Sequence, residues 1–144
     1  MLRSILAVIA GYLVTAAFVF VTFSLAYLIM GADGAFRPDS FDPSTAWIIM
    51  SFILGFIGAA VGGYICAMLA KGSRAPLVLA GIVLVLGFLI AIPVLTRTDE
   101  PRVRIGELGN LEAMQSARQP AWVALLTPIV GAVGVIAGAR AKRS

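Results

Sequence analysis

Four long apolar runs separated by polar breaks set out this chain: residues 4–30, 45–70, 75–96 and 120–139. Each reaches the roughly 20 residues that a helix needs to cross the hydrocarbon of a bilayer, and none contains Asp, Glu, Lys or Arg. The pattern predicts an all-α fold: a polytopic membrane protein with four transmembrane helices in a single transmembrane domain, leaving no room for a separate soluble one. Residues 31–44 and 97–119 read as the two longer loops, and Lys71-Gly72-Ser73-Arg74 as a tight turn. So short a turn makes the second and third helices antiparallel neighbours.

Within the second run the residues divide by size. At about 100° per residue, Ser51, Gly55, Gly58, Ala59, Gly62, Cys66 and Ala70 fall on one side, and Ile53, Ile57, Tyr64 and Met68 on the other. A flat face of this kind lets a second helix approach closely in lipid, where packing rather than water exclusion holds helices together. The fourth run repeats the spacing: Gly131, Gly134 and Gly138 match Gly55, Gly58 and Gly62, and Gly58/Gly62 and Gly134/Gly138 both have GxxxG spacing. Each set is preceded by a Trp, Trp47 or Trp122, and a Pro. A weaker match aligns Val8-Ile9-Ala10-Gly11 with Val78-Leu79-Ala80-Gly81. These matches predict two tandem helical hairpins related by an axis along the membrane normal, with the six glycines as helix-packing positions.

Charge supplies the orientation. Arg3, Lys71, Arg74, Arg140, Lys142 and Arg143 occupy the two tails and the tight turn, whereas all seven acids, Asp33, Asp39, Asp42, Asp99, Glu100, Glu107 and Glu112, lie in the two longer loops. Basic residues favour the cytoplasmic side, so both termini are expected in the cytoplasm, with the six cations contacting lipid head groups. The net charge of +4 has no basic face with interleaved aromatics, and nucleic acid is not expected as a partner. The first run is too long for a cleaved signal segment and reads as a retained helix.

The polar points inside the runs are few. Tyr12, Thr15 and Thr22 lie in the first, Ser51 in the second, and Thr127 beside Pro128 in the fourth. Hydroxyls in a membrane helix can bond back to a carbonyl one turn earlier; the alternative reading is a solute path through Thr15, Thr22, Ser51, Thr127 and Pro128. Pro128 marks a kink, and Pro93 a bend or end of the third helix. In the loops, Asp42-Pro43-Ser44 reads as a helix start, Gly72 as a C-cap and residues 110–118 as a short surface helix capped by Asn110, with Leu108, Leu111 and Met114 on one face. Asp33, Asp39 and Asp42 match no calcium-loop spacing and read as solvated charges.

Absent chemistry narrows the function. The chain has no His and one Cys, Cys66, so it has no imidazole pair for haem, no His-based triad or proton switch and no dithiol. No cofactor or metal is expected. The quinone-linked disulfide-forming proteins and the small multidrug transporters also have four short helices, but the first need cysteine pairs and the second a carboxylate within the first helix. Membrane-bound glutathione-handling enzymes are similar in length only. In length, topology and the Gly62-Gly63-Tyr64 of its second span, the chain resembles short four-helix inner-membrane proteins of bacteria that have no assigned activity. That resemblance implies a bacterial inner-membrane, multi-pass location and says nothing of a substrate.

The expectation is a non-enzymatic membrane protein acting through helix packing, as an accessory or structural subunit of a complex or as a homo-oligomer, with lipid and another membrane protein or a second copy as partners. The alternative is a small-solute or ion transporter or channel working as an oligomer. A polar cavity between the first, second and fourth helices favours the alternative; a dry interior counts against it.

Overall fold

The computed structural model describes residues 1–71, 74–98, 109–111 and 117–144. Four helices account for most of them: α1 (Leu2–Ala35), α2 (Thr45–Ala70), α3 (Ala75–Leu95) and α4 (Ala121–Arg143). All four are long and apolar enough to cross a membrane, which makes this a multi-pass membrane protein by length and composition. Large apolar side chains such as Leu13, Leu28, Ile90 and Val133 are more than half exposed on the outside of the bundle, as lipid rather than water requires.

Local chemistry explains most of the ends. The α1 segment is interrupted at Gly31, whose φ of 68° and ψ of 178° belong to a region that essentially only glycine occupies. The last turn beyond it folds back, with Phe36 bridging to Pro43 and the Ser44 amide donating to the Ala35 carbonyl at 2.8 Å. Ser44 caps α2: its Oγ accepts from the Trp47 amide at 3.1 Å and donates to the Gly34 carbonyl at 2.5 Å. At the other end of α2 the left-handed residue is Lys71, at φ 46°, so the helix stops one residue before the expected Gly72 cap. Gly72 itself lies outside the described residues. Pro93 does not end α3, which runs to Leu95, and Pro128 sits inside an unbroken α4.

The loop that follows α1 is sealed by aromatic rings. Trp47 meets Phe23 and Tyr27 edge-on at 5.9 and 6.3 Å, Tyr27 meets Phe36, and Phe36 meets Phe41. The second loop fastens onto this cluster where the Arg118 amide donates to the Phe41 carbonyl at 2.9 Å. Asn110 was expected to cap a short helix. Instead its Nδ2 donates to Ser24 Oγ on α1 at 2.9 Å, and its Oδ1 is buried with no hydrogen-bond partner. Most of the predicted 110–118 surface helix, including Met114, lies outside the described residues, as does Leu108.

Around the bundle the helices follow the order α1, α2, α4, α3. Helix α2 packs extensively on α1 and on α4, α3 packs mainly on α4, and α1 makes no contact with α4. The half of the bundle nearer the two termini is tightly filled by Ala7, Cys66, Ala70, Ala75, Leu79 and Val135.

Candidate functional site

Each predicted packing glycine has a definite neighbour or a definite vacancy. A Cβ built on Gly58 would lie 2.9 Å from Phe18, and one on Gly62 would lie 2.6 Å from the Gly11 carbonyl and against Thr15, so this pair faces α1. A Cβ on Gly134 would lie 2.8 Å from the Phe56 carbonyl and 2.9 Å from the Ala59 Cβ, and one on Gly138 would strike the Ala60 carbonyl, so this pair faces α2. The matched glycines of α2 and α4 therefore serve different contacts. Gly131 meets only Val83 of α3, at 3.0 Å, and a Cβ on Gly55 meets nothing within 4 Å.

Helix α2 thus carries two packing faces rather than one. Gly58 and Gly62 point to α1, while Phe56, Ala59, Ala60 and Gly63 point to α4, and at 100° per residue the two groups centre roughly 130° apart. Three close approaches escaped the pattern reading. Gly63 sits against the Val135 carbonyl, Gly87 against the Pro128 ring, and Gly11 where a Cβ would come within 2.8 Å of both Cys66 and Leu79. The adjacent Gly62-Gly63 pair was the available signal, since two glycines 100° apart can admit two helices. Gly11 closes α1 onto α2 and α3 at one level, in the half of the bundle nearer the termini.

The half nearer the two longer loops is not filled. A cavity of about 290 Å³ extends from the loop end to the middle of the bundle. Thr15 and Val19 line it from α1, Ser51, Gly55 and Ala59 from α2, Val83 and Gly87 from α3, and Ala124, Thr127, Pro128 and Gly131 from α4. Gly55 is thus a wall position of the cavity with no packing neighbour, and Gly131 both lines it and meets Val83. Four of the five residues proposed for a solute path, Thr15, Ser51, Thr127 and Pro128, share this space. The fifth, Thr22, is not among the lining residues: its hydroxyl donates to the Phe18 carbonyl at 2.7 Å.

The polar atoms of the cavity face it mainly as acceptors. Thr15 Oγ1 donates to the Gly11 carbonyl at 2.9 Å, Ser51 Oγ to Ile48 at 2.8 Å and Thr127 Oγ1 to Val123 at 2.7 Å. Each hydroxyl proton is spent on its own helix and the Thr15 oxygen also packs against Gly62, so the Ser51 and Thr127 oxygens are the ones left to accept from a guest. Pro128 has no N–H to give to the carbonyl of Ala124, four residues earlier and itself on the cavity wall. Gln119, at the mouth, reaches Thr127 Oγ1 at 3.5 Å. No ionisable side chain lines the cavity among the described residues, and its remaining surface is Val, Phe, Ala, Ile and Gly.

The basic residues near the termini and in the tight turn stand at the opposite end. Arg3 Nε donates to the Leu69 carbonyl at 2.8 Å and ties the first turn of α1 to the last turn of α2. Lys71, Arg74, Arg140, Lys142 and Arg143 are exposed. Arg140, Lys142 and Arg143 lie in the last turn of α4, where cations complement the helix dipole. Among the described residues no group of three or more His, Cys, Asp or Glu side chains is placed to hold a metal ion, and Asp33, Asp39 and Asp42 are exposed. No protein-family model matches this chain, and no curated protein or solved structure matches it.

Proposed function

We propose that this chain is a non-enzymatic protein of the bacterial inner membrane, with both termini cytoplasmic, that admits a small apolar solute into the outer half of its helix bundle, in a binding or transport role. The observation that carries this reading is the cavity of about 290 Å³ that gathers Thr15, Ser51, Thr127 and Pro128 from three helices. Its size is close to the lower end of small-molecule sites, and its apolar wall with a few convergent oxygens is their usual composition. The orientation follows from the basic tails and turn.

The reading as an accessory subunit or homo-oligomer started from two small-residue faces in search of a partner. Gly58 and Gly62 meet α1, and Gly134 and Gly138 meet α2, so these faces are occupied within the chain. That reading stands second, supported by Gly81, a small residue on the outside of α3 with nothing within 4 Å of a built Cβ.

The test uses Trp122, which packs against the cavity residue Phe52 at 6.2 Å. In phosphatidylcholine nanodiscs, with Trp47→Phe as background, bromododecanol is expected to quench Trp122 saturably, and Gly55→Leu to abolish the saturable part. Quenching that rises linearly and identically in both proteins would reject the cavity as a binding site. Recovery of one stoichiometric membrane partner, unaffected by Gly55→Leu, would then move the accessory reading to first place.

A further inference from the structure

Immediately outside the cavity lies a second recess, of about 360 Å³, with a different chemistry. Arg37 of the first loop, Arg97 beyond the end of α3 and Arg118 before α4 converge on it, and Asp42 is the one acid among its described residues. Gln119 belongs to both spaces. The end of α3 joins them as well, with Ile90 and Ala91 on the cavity wall and Val94 one turn further out in the recess.

We infer that the two spaces form one site for a single-chain anionic amphiphile, a fatty-acid-like carboxylate, with its head in the arginine recess and its chain in the cavity. This rests on the proposed solute-binding reading and names the class of solute. The argument is complementarity at both ends. Guanidinium groups present planar donor pairs that match a carboxylate, and Arg37 and Arg97 bring two of them to the recess, against Asp42 as the one acid among its described residues. The cavity below offers no counter-charge and a largely apolar wall, and at about 30 Å³ per water-sized group it takes on the order of ten methylenes. An ion or a sugar would leave the apolar half unused, and a simple alkane would leave the arginines unused. The order of the two spaces also suits the bilayer, since the head stays at the level of the loops while the chain reaches mid-depth.

The experiment compares bromododecanoate with bromododecanol on the full chain in phosphatidylcholine nanodiscs, at a pH well above the carboxylate range, reading saturable quenching of Trp122 in the Trp47→Phe background. Bromododecanoate is expected to bind more tightly than the alcohol. Arg37→Gln and Arg97→Gln should each weaken the anion roughly tenfold, the scale of a charge-assisted hydrogen bond, without moving the alcohol. Added salt should act on the anion alone. Equal saturable binding of both probes, indifferent to the arginine variants, would overturn this inference while leaving the cavity as a binding site. Absence of saturable quenching by either probe, or its persistence in Gly55→Leu and Thr127→Leu, would overturn both readings. Circular dichroism of each variant separates lost binding from lost folding.

Discussion

Gly62 of α2 lies directly against Thr15 of α1, whose hydroxyl is turned back to the Gly11 carbonyl at 2.9 Å. The missing side chain at 62 and the self-satisfied hydroxyl at 15 allow the two backbones to approach without leaving a buried polar group unpaired, the condition for close helix packing in lipid. Seven residues earlier on the same flat side, Gly55 opens onto the cavity with nothing within 4 Å of a built Cβ. One small-residue face thus performs two tasks along its length.

That contrast gives the first prediction. Gly62→Ala places a methyl group against Thr15 and 2.6 Å from the Gly11 carbonyl, and should cost about 1–3 kcal/mol by overpacking. Gly55→Ala should be neutral or slightly stabilising, because the methyl enters open space and alanine is the better helix former. Unfolding of both variants in mixed micelles checks the pair. Equal loss at 55 and 62 would mean that the face packs evenly along its length.

Gly31 isolates backbone conformation from packing. A built Cβ meets nothing within 4 Å, yet φ is 68° and ψ 178°. Gly31→Ala should therefore cost about 1–3 kcal/mol through the backbone alone. The loss should be accompanied by loosening of the aromatic seal, read as a shift in Trp47 emission, with the transmembrane helix content unchanged by circular dichroism.

Asn110 and Ser24 form a pair whose energetics should be asymmetric. Ser24→Ala leaves the Asn110 amide without its 2.9 Å acceptor while Oδ1 is already buried and unpartnered, and should cost about 1–3 kcal/mol. Ser24→Ala combined with Asn110→Leu removes both polar partners and should recover most of that loss. A double-mutant cycle on thermal stability measures it, and additive losses would show that the pair is not coupled.

Cys66 is fully buried where α1, α2 and α3 converge. A membrane-permeant maleimide should leave it unmodified in the native bundle and label it fully after denaturation. Gly11→Leu, which forces a side chain into Cys66 and Leu79, should speed labelling at least tenfold, since native protection reflects the population of the opened form. Rapid labelling of the native chain would place a gap at the junction of α1, α2 and α3 around Gly11.

Much of the architecture was legible in the residues because it depends on local, additive quantities. Four uncharged runs long enough to span a bilayer decide the number and place of the helices whatever packs beside them, and Ser44 after Asp42-Pro43 decides where α2 begins. The end of α2 was less legible: the left-handed position falls on Lys71, a residue that adopts this conformation less readily than the adjacent Gly72. The chain's own periodicity also marked which side of α2 is small. Periodicity defines a face but neither the rotation of one helix against another nor which neighbour the face meets. Those depend on all four helices at once, and so the tertiary structure alone decided that Gly58 and Gly62 receive α1, that Gly63, Gly134 and Gly138 serve the contact between α2 and α4, and that Gly55 stays open. The cavity has the same origin. Gly11, Gly62 and Gly63 draw the helices together nearer the termini, while the halves nearer the longer loops leave a space that no single run encodes. Arg37, Arg97 and Arg118, far apart along the chain and unremarkable within their loops, share one recess only because the ends of α1, α3 and α4 bring those loops together.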